Sequence, residues 1–286
     1  MIAKTHDPKS INARSSTASV APSSPPILLR EDVGSIAILT LNRPEARNSL
    51  SEALLAALGD TFTEIAHERS VRAVVLAANG PAFSAGHDLK ELKRHRSDSD
   101  RGRAYFKYIM EMCSAVMQQI VNLPQPVIAT VQGVATAAGC QLVATCDLAV
   151  VSTAAKFATP GVNVGLFCST PMVALSRNVA RKHAMEMLLT GDMISAEDAL
   201  RIGLVNRVVA PGNEREEALA LGRKIAAKSA YVVKIGKEAF YRQLESGLKD
   251  AYRYAAEVMV ENMLARDADE GIDAFIEKRE PKWEDR

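Results

Sequence analysis

The hydrophobic residues of this chain follow two different spacings. Between residues 50 and 68, the segment LSEALLAALGDTFTEIAHE repeats them every three or four positions, which is typical of an amphipathic helix. The apolar stripe consists of Leu50, Leu54, Leu58, Phe62 and Ile65. Ser49 lies three residues before Glu52, and this spacing predicts a capping box at the start of the helix.

Other apolar residues occur in short runs. SIAILTLN, RAVVLAA, PVIATVQG and DLAVVS are rich in β-branched and aliphatic residues and are separated by helix-like segments. Continuous runs suit strands that are covered on both faces, and repeated β-then-α units indicate a largely parallel sheet. The sequence therefore predicts an α/β fold that binds its ligands in the loops at the carboxyl ends of the strands.

The two ends of the chain have patterns of their own. Residues 1–26 are rich in Ser, Ala and Pro, and we expect a disordered tail there because they have little apolar surface to bury. After about residue 211 the strand pattern ends, and four segments have helical spacing. We therefore expect a tail at 1–26, a core at 27–210 and a helical C-terminal or oligomerisation region at 211–286.

Composition narrows the range of partners and compartments. The 286 residues carry a formal net charge of +1, which favours neither nucleic acid nor a membrane surface as a partner. The four cysteines lack the spacing of zinc sites and of disulfide scaffolds, so we expect no bound metal. The sequence has no apolar run of membrane-spanning length. We expect a cytoplasmic protein, with the mitochondrial matrix as the alternative because the first residues are basic with few acids.

Two loops that follow predicted strands have the composition of a carbonyl-binding site. In PAFSAGHDLKEL, Gly86 permits an unusual backbone angle just before Asp88, which is a good N-cap residue. We expect this loop geometry to leave the N–H groups near Ala85 free to point at an oxygen. In GVATAAGCQL, small residues let the backbone approach a ligand closely at the start of a helix. Two such loops at adjacent strand ends predict an oxyanion hole, in which two N–H groups bind one carbonyl oxygen.

Several motifs, in order along the chain, resemble those of one family. LNRPEARNSL, PAFSAGHDLKEL, GVATAAGCQLVATCDLAV, KFATPGVNVGLF, LLTGDMISAEDALRIGLVNRVV and AFIEKREPKW are similar to motifs of the crotonase (enoyl-CoA hydratase/isomerase) superfamily, over residues 27–286. The resemblance implies a spiral of repeated ββα units with a helical C-terminal region, assembled as a trimer or a dimer of trimers. It also implies acyl-CoA thioester substrates and no separate cofactor, because coenzyme A is part of the substrate.

The resemblance implies roles for individual residues as well. The oxyanion donors would be the backbone N–H groups of Ala85 and Ala138, and His87 and Gln141 would be polar groups of the pocket. Arg47, and Lys278 from a neighbouring subunit, would bind phosphates of coenzyme A. The implied substrate-binding positions are Ala46, Arg47, Gly86, Asp88, Leu89, Gly139, Pro160, Gly161, Leu166, Cys168 and Lys278.

The sequence departs from the family's pattern at the two positions where hydratases carry catalytic glutamates. Those positions match Gln141 and Gly161. An amide has no usable proton affinity, and positioned acid–base groups contribute about 10²- to 10⁴-fold in rate, so we expect hydration to be slow or absent. The retained oxyanion hole leaves two alternatives open, which are decarboxylation through an enolate assisted by His87 and binding of acyl-CoA without catalysis.

Overall fold

The computed structural model describes residues 25–286, so residues 1–24 of the predicted tail lie outside the described part of the chain. Most apolar runs of the sequence form strands. The strands are β1 (Leu28–Val33), β2 (Ile36–Leu41), β3 (Ala73–Ala78), β4 (Ala82–Ser84), β5 (Val127–Val131), β6 (Val134–Thr136), β7 (Leu148–Ser152), β8 (Lys156–Ala158), β9 (Ile194–Ser195) and β10 (Arg207–Val209).

These strands form two sheets. The larger sheet has the order β1-β2-β3-β5-β7-β10, with β1 antiparallel to β2 and the other neighbours parallel. The smaller sheet has the order β4-β6-β8-β9, with β4, β6 and β8 parallel and β9 antiparallel to β8. From β3 to β8, consecutive strands therefore enter the larger and the smaller sheet in turn. This alternation confirms the expected spiral of ββα units.

Helices connect and cover the strands. The helices are α1 (Glu52–His67), α2 (Leu89–His95), α3 (Arg103–Asn122), α4 (Ala138–Thr145), α5 (Pro171–Asn178), α6 (Arg181–Thr190), α7 (Ala196–Arg201), α8 (Glu214–Ala226), α9 (Ala230–Leu244), α10 (Leu248–Met263) and α11 (Arg266–Glu277). Short 3-10 turns span Pro44–Ala46 and Pro160–Val164. Across residues 25–286, no helix combines the length and the hydrophobicity needed to cross a membrane.

Helix α1 confirms the helix predicted from the apolar stripe, but it begins later than expected. Its N-cap is Ser51, whose Oγ accepts a hydrogen bond from the Leu54 N–H (3.3 Å). The predicted cap, Ser49, instead donates its hydroxyl to Asp88 (3.2 Å). The reason is that Leu50 forms a β-bridge with the loop after β4, so the chain is still extended there. A long-range pairing therefore overrides the local capping signal.

The four helices predicted after residue 211 are present as α8 to α11, and they differ in their burial. Helix α8 packs on the larger sheet, where Ala218 and Leu219 join a core cluster with Ile36, Ile128 and Val150. Helices α9 and α10 contain no fully buried residue. The first helix of this region is therefore part of the core, and the next two lie outside it.

A buried ion pair attaches α9 to the core. The Lys237 ammonium lies 2.7 Å from the Asp147 carboxylate and also donates to the backbone carbonyls of Ile120 (2.9 Å) and Gln125 (3.1 Å). The Tyr241 hydroxyl donates to the same carboxylate (2.9 Å). The side chains of the pair are only 7% and 14% exposed, so solvent screens this interaction much less than it screens a surface salt bridge.

Replacing Lys237 with Met should lower the free energy of unfolding by about 3 kcal/mol or more, because Asp147 would then be a buried carboxylate without its cation. Urea denaturation of the purified variant measures this loss. Lys234→Met changes an exposed lysine of the same helix and should shift the free energy by less than about 0.5 kcal/mol. Equal effects of the two substitutions would contradict the anchoring role of the ion pair.

Candidate active site

The carboxyl ends of three neighbouring strands bring the candidate residues together. In the smaller sheet, β4, β6 and β8 run parallel in that order, and the registers pair Ser84 with Ala135 and Thr136 with Ala158. Parallel strands end at the same edge of a sheet, so the loops that follow them meet there. These loops carry His87 after β4, the start of α4 after β6 and Gly161 after β8. The structure thus agrees with the predicted position of the site at strand ends.

Two glycines allow the loops after β4 and β6 to touch. Gly86 has a φ of +87°, and a β-carbon there would lie 2.9 Å from the Ala137 β-carbon and 3.1 Å from the Ala138 nitrogen. A β-carbon on Gly139 would lie 2.2 Å from the Ser84 carbonyl oxygen. Real β-carbons do not approach this closely, so both positions require glycine. This close approach places the backbone before His87 next to the first turn of α4.

The structure corrects the predicted donor in the loop after β4. The Ala85 N–H, predicted to be free, donates to the Arg47 carbonyl (3.0 Å). Leu50 forms a parallel bridge with His87, donating to the carbonyl before it (2.8 Å) and accepting from the N–H after it (3.2 Å). In a parallel bridge of this kind, the N–H of the central residue points away from the partner. The His87 N–H therefore faces the opposite side, and it has no backbone partner among the described residues.

The second candidate donor is the Ala138 N–H, at the start of α4. Ala138 is the first residue of α4, and its N–H has no backbone partner in the described range. The preceding residue, Ala137, has a φ of +50°, an unfavourable value for a residue other than glycine, and donates its own N–H to Ala158 (2.9 Å). Helix N-termini carry partial positive charge, which favours an oxygen that gains negative charge. His87 and Ala138 together thus offer two backbone donors at the point of contact between the loops.

A fully buried asparagine supports the loop after β4. Asn48 donates its side-chain amide to the carbonyls of Asn79 and Ala82 (both 2.8 Å) and accepts from the Arg43 N–H (2.8 Å). Its own carbonyl accepts from the Ser84 hydroxyl (2.9 Å). The residue has a φ of +50°, which asparagine tolerates better than most residues. Sequence reasoning missed this residue because its partners lie about 30 to 36 positions away in the chain.

The Asp88 carboxylate is engaged within the protein. As predicted, Asp88 is the N-cap of α2, and it accepts from the N–H groups of Lys90 (3.0 Å) and Glu91 (3.4 Å). It also lies 3.2 Å from the Arg43 guanidinium. Burial alone would raise the pKa of Asp88, but the hydrogen bonds from Arg43 and from the backbone outweigh it and lower this pKa. The carboxylate is therefore ionised at neutral pH. It stabilises the loop through these hydrogen bonds and carries no proton for catalysis.

Several polar side-chain atoms at this edge are buried and have no hydrogen-bond partner in the described part of the chain. They include both ring nitrogens of His87, the Gln141 Oε1 and the Thr159 Oγ1. Buried polar atoms in native proteins are nearly always hydrogen-bonded, so a group of unpartnered ones indicates a place for a ligand or water. Burial lowers the pKa of His87, although a backbone group of Leu50 partly opposes this, so its ring is neutral at pH 7. Thr159 was not among the predicted site residues. The one feature of the sequence that could have indicated it is its position directly after a strand-like run.

The space beside Gly161 is already filled. A β-carbon there would lie 2.8 Å from the Leu166 carbonyl oxygen and 2.9 Å from the Cys168 sulfur. A side chain at this position would therefore have to displace the loop or the thiol. Cys168 is buried, and its burial raises the pKa of the thiol, so the thiol is protonated at neutral pH. Gln141 is also buried, and neither position 141 nor position 161 carries a carboxylate.

The other predicted substrate-binding residues lie at the rim or further away. Leu89 and Leu166 are exposed, Pro160 is half-buried, and Ala46 and Arg47 lie on the turn whose carbonyl holds Ala85. Lys278 ends α11, and no hydrogen bond or ion pair joins its side chain to these loops within residues 25–286. The described residues also contain no group of three or more His, Cys, Asp and Glu side chains that would hold a metal ion.

Comparisons with known proteins agree with this architecture. A sequence model of the enoyl-CoA hydratase/isomerase family matches residues 31–286. The mitochondrial enoyl-CoA hydratase domain-containing protein 3 of Rattus norvegicus is 50% identical over 245 residues, which cover 86% of this chain and 80% of the rat protein. The crystal structure of human enoyl-CoA hydratase domain-containing protein 3 superposes with a TM-score of 0.86 at 48% identity, covering 90% of this chain and 100% of the human chain. An enoyl-CoA hydratase structure from Mycobacterium smegmatis gives a TM-score of 0.86 at 55% identity, covering 90% and 99%.

Asn48→Asp should destabilise the protein by about 2 to 4 kcal/mol, because an oxygen would replace the amide that donates to two buried carbonyls. Aspartate tolerates the left-handed backbone nearly as well as asparagine, so the substitution tests the hydrogen bonds and leaves the φ preference in place. Thermal and urea unfolding give the loss. Asn42→Asp, at a half-buried position on the adjoining turn, is the control and should cost less than about 1 kcal/mol. A loss at position 48 no larger than in this control would contradict the supporting role of Asn48.

Proposed function

This chain belongs to the enoyl-CoA hydratase/isomerase family, and from that premise we propose that it binds acyl-CoA thioesters and polarises their carbonyl group with the backbone N–H groups of His87 and Ala138. The observation that carries the proposal is that these two N–H groups have no backbone partner within residues 25–286 and lie on loops that touch at Gly86. In measured cases one oxyanion-hole donor contributes about 3 to 4 kcal/mol to the transition state. The charge that forms on the thioester oxygen makes an enolate the intermediate that this site stabilises best.

The remaining polar groups favour reactions that need no strong base. Gln141 orients a water or a substrate group but cannot take up a proton. Decarboxylation of a malonyl-type thioester needs no strong base. The bond to the carboxylate breaks, CO2 leaves, and the electron pair of the broken bond forms the enolate. The enolate then takes a proton from water. The two unpartnered ring nitrogens of His87 support this second candidate, since a neutral imidazole can donate one N–H to the enolate or to the leaving carboxylate.

We also propose that the chain forms a homotrimer, or a dimer of trimers, through its C-terminal helices. Large apolar side chains are exposed on α10 and α11, and they are Tyr252, Met259, Val260, Met263, Ile272, Phe275 and Ile276. Such a patch on a soluble surface indicates a protein interface. Lys278 directly follows this patch, which supports its expected contact with a coenzyme A phosphate of a neighbouring subunit. The rat relative is named as a mitochondrial protein, so of our two expected compartments we propose the mitochondrial matrix.

The test of the proposed function is a panel of enoyl-, malonyl- and methylmalonyl-CoA thioesters, followed by mass spectrometry against a control without protein. We expect the thioesters to bind and free coenzyme A to displace them. The enoyl thioester should gain water slowly, and the malonyl-type thioesters should lose CO2 if the His87 route operates. Binding without any mass change would favour the non-catalytic alternative or an isomerisation, and NMR of the product distinguishes these two. A protein that binds none of the thioesters would contradict the proposal.

Gln141→Glu should increase hydration of an enoyl-CoA by roughly tenfold or more, since a positioned base contributes about 10²- to 10⁴-fold in favourable cases. The position is buried, so the new carboxyl should have a raised pKa. Its basic form therefore increases as the pH rises through that pKa, and the gain in rate should grow over the same range. Gln141→Met keeps the volume without polar atoms and should show no gain. A glutamate variant that binds normally yet hydrates no faster would place the reacting carbons away from residue 141.

A further inference from the structure

One face of α4 extends from the proposed carbonyl site to the wall of a large cavity. Ala138, Gln141 and Thr145 are spaced by three and four residues, so they lie on one stripe of the helix. The stripe begins at the Ala138 N–H, and Gln141, Ala144 and Thr145 line the cavity. The cavity wall therefore begins at Gln141, about one helical turn after the Ala138 N–H, while Ala138 and His87 are not among its lining residues.

The cavity is large and its wall is mainly apolar. Its volume is about 1140 Å³, which is slightly more than the roughly 300 to 1,000 Å³ of typical small-molecule sites. It lies between α3, α4, α5 and α9, and its apolar wall includes Met117, Val121, Leu123, Val173, Phe240 and Leu244. Val173, Phe240 and Leu244 are about half exposed, at 47%, 56% and 55%. Apolar side chains that line a cavity and remain exposed indicate a ligand that covers them.

The wall contributed by α9 is held in place before any ligand arrives. Tyr241 lines the cavity, and its hydroxyl binds the Asp147 carboxylate that also holds Lys237. Lys237 in turn binds the backbone at the end of α3, at Ile120. A cavity built on anchored helices does not need to be ordered by its ligand, so less of the binding free energy is lost on closing it.

We propose that this cavity holds the hydrocarbon part of the acyl group, and that the protein prefers acyl-CoA thioesters with about eight to twelve carbons over four-carbon ones. The inference rests on the proposed function. The helix rise places Thr145 roughly 10 Å along the axis from Ala138, and an extended chain of about eight methylene groups covers the same distance. A four-carbon acyl group ends near Gln141 and leaves the apolar wall in water.

The charges near the cavity favour a plain hydrocarbon over a chain with a charged end. Arg177, Lys234 and Arg242 lie at the cavity together with Glu238 and Glu245, so both signs are present. Arg177 is paired with Glu245 (3.1 Å), and the Arg242 guanidinium lies 4.5 Å from the centre of the Tyr254 ring. These contacts engage two of the three cations, so the cavity has no concentrated charge to recognise a terminal carboxylate.

The test is titration calorimetry with saturated thioesters, which bind without reacting, from butanoyl-CoA through octanoyl- to decanoyl-CoA. Each methylene that leaves water contributes up to roughly fourfold in affinity, so we expect decanoyl-CoA to bind at least about 30-fold more tightly than butanoyl-CoA. Val121→Trp fills the cavity from α3 and should weaken decanoyl-CoA about tenfold or more while changing butanoyl-CoA by less than about threefold. Ala115→Trp adds the same side chain to an exposed position of α3 away from the cavity, and its affinities should match those of the wild type.

The possible failures can be told apart. Equal affinity for all chain lengths, with displacement by coenzyme A, would overturn the inference and leave the proposed function standing. No binding of any thioester would contradict the proposed function itself. If Val121→Trp leaves decanoyl-CoA binding unchanged but shifts the oligomeric state in analytical ultracentrifugation, a second copy of the chain covers the cavity and the inference is wrong.

Discussion

The contact between two loops at Gly86 and Gly139 is the constraint on which the site depends. With less than 3.2 Å between a β-carbon at Gly86 and the Ala138 nitrogen, any other residue at position 86 would push the two backbone donors apart. The spiral of strands supplies this contact, because β4 and β6 are neighbours in the smaller sheet although about 50 residues separate them in the chain. Backbone N–H groups also keep their dipole at every pH, so these two donors depend on no titrating group. The fold thus fixes the electrostatics of the site independently of the side chains that line it.

The neutral lining of the pocket follows from the same arrangement. Gln141 is an amide, burial keeps the Cys168 thiol protonated, and burial keeps the His87 ring neutral. Cys168 also occupies the space that a side chain at Gly161 would need, so these two residues fit each other. Burying a carboxylate here would cost free energy through desolvation. A pocket without charges avoids that cost, and it suits an apolar ligand group next to the two backbone donors.

The sequence predicted the fold class and the loops because local patterns determine them. Continuous apolar runs mark the strands, and small residues mark the turn before α4. The prediction that the Ala85 N–H is free was wrong, because a contact between residues distant in the chain engages it. Arg47 takes the Ala85 N–H, and the bridge from Leu50 turns the His87 N–H outward. The same bridge moved the cap of α1 from Ser49 to Ser51, so non-local contacts account for both errors.

Helix α9 contributes both to the stability of the protein and to the wall of the cavity beside the candidate site. The Lys237–Asp147 pair is buried, and buried pairs often contribute little net stability compared with apolar residues of similar volume. Their geometry is nevertheless specific, because Asp147 accepts from both Lys237 and Tyr241 and so fixes the rotation as well as the position of the helix. That rotation places Phe240 and Leu244 on the wall of the cavity. The backbone donors and the part of the cavity wall on α9 belong to different parts of the chain, so substitutions on α9 can change the shape of the cavity while the backbone donors of the core remain the same.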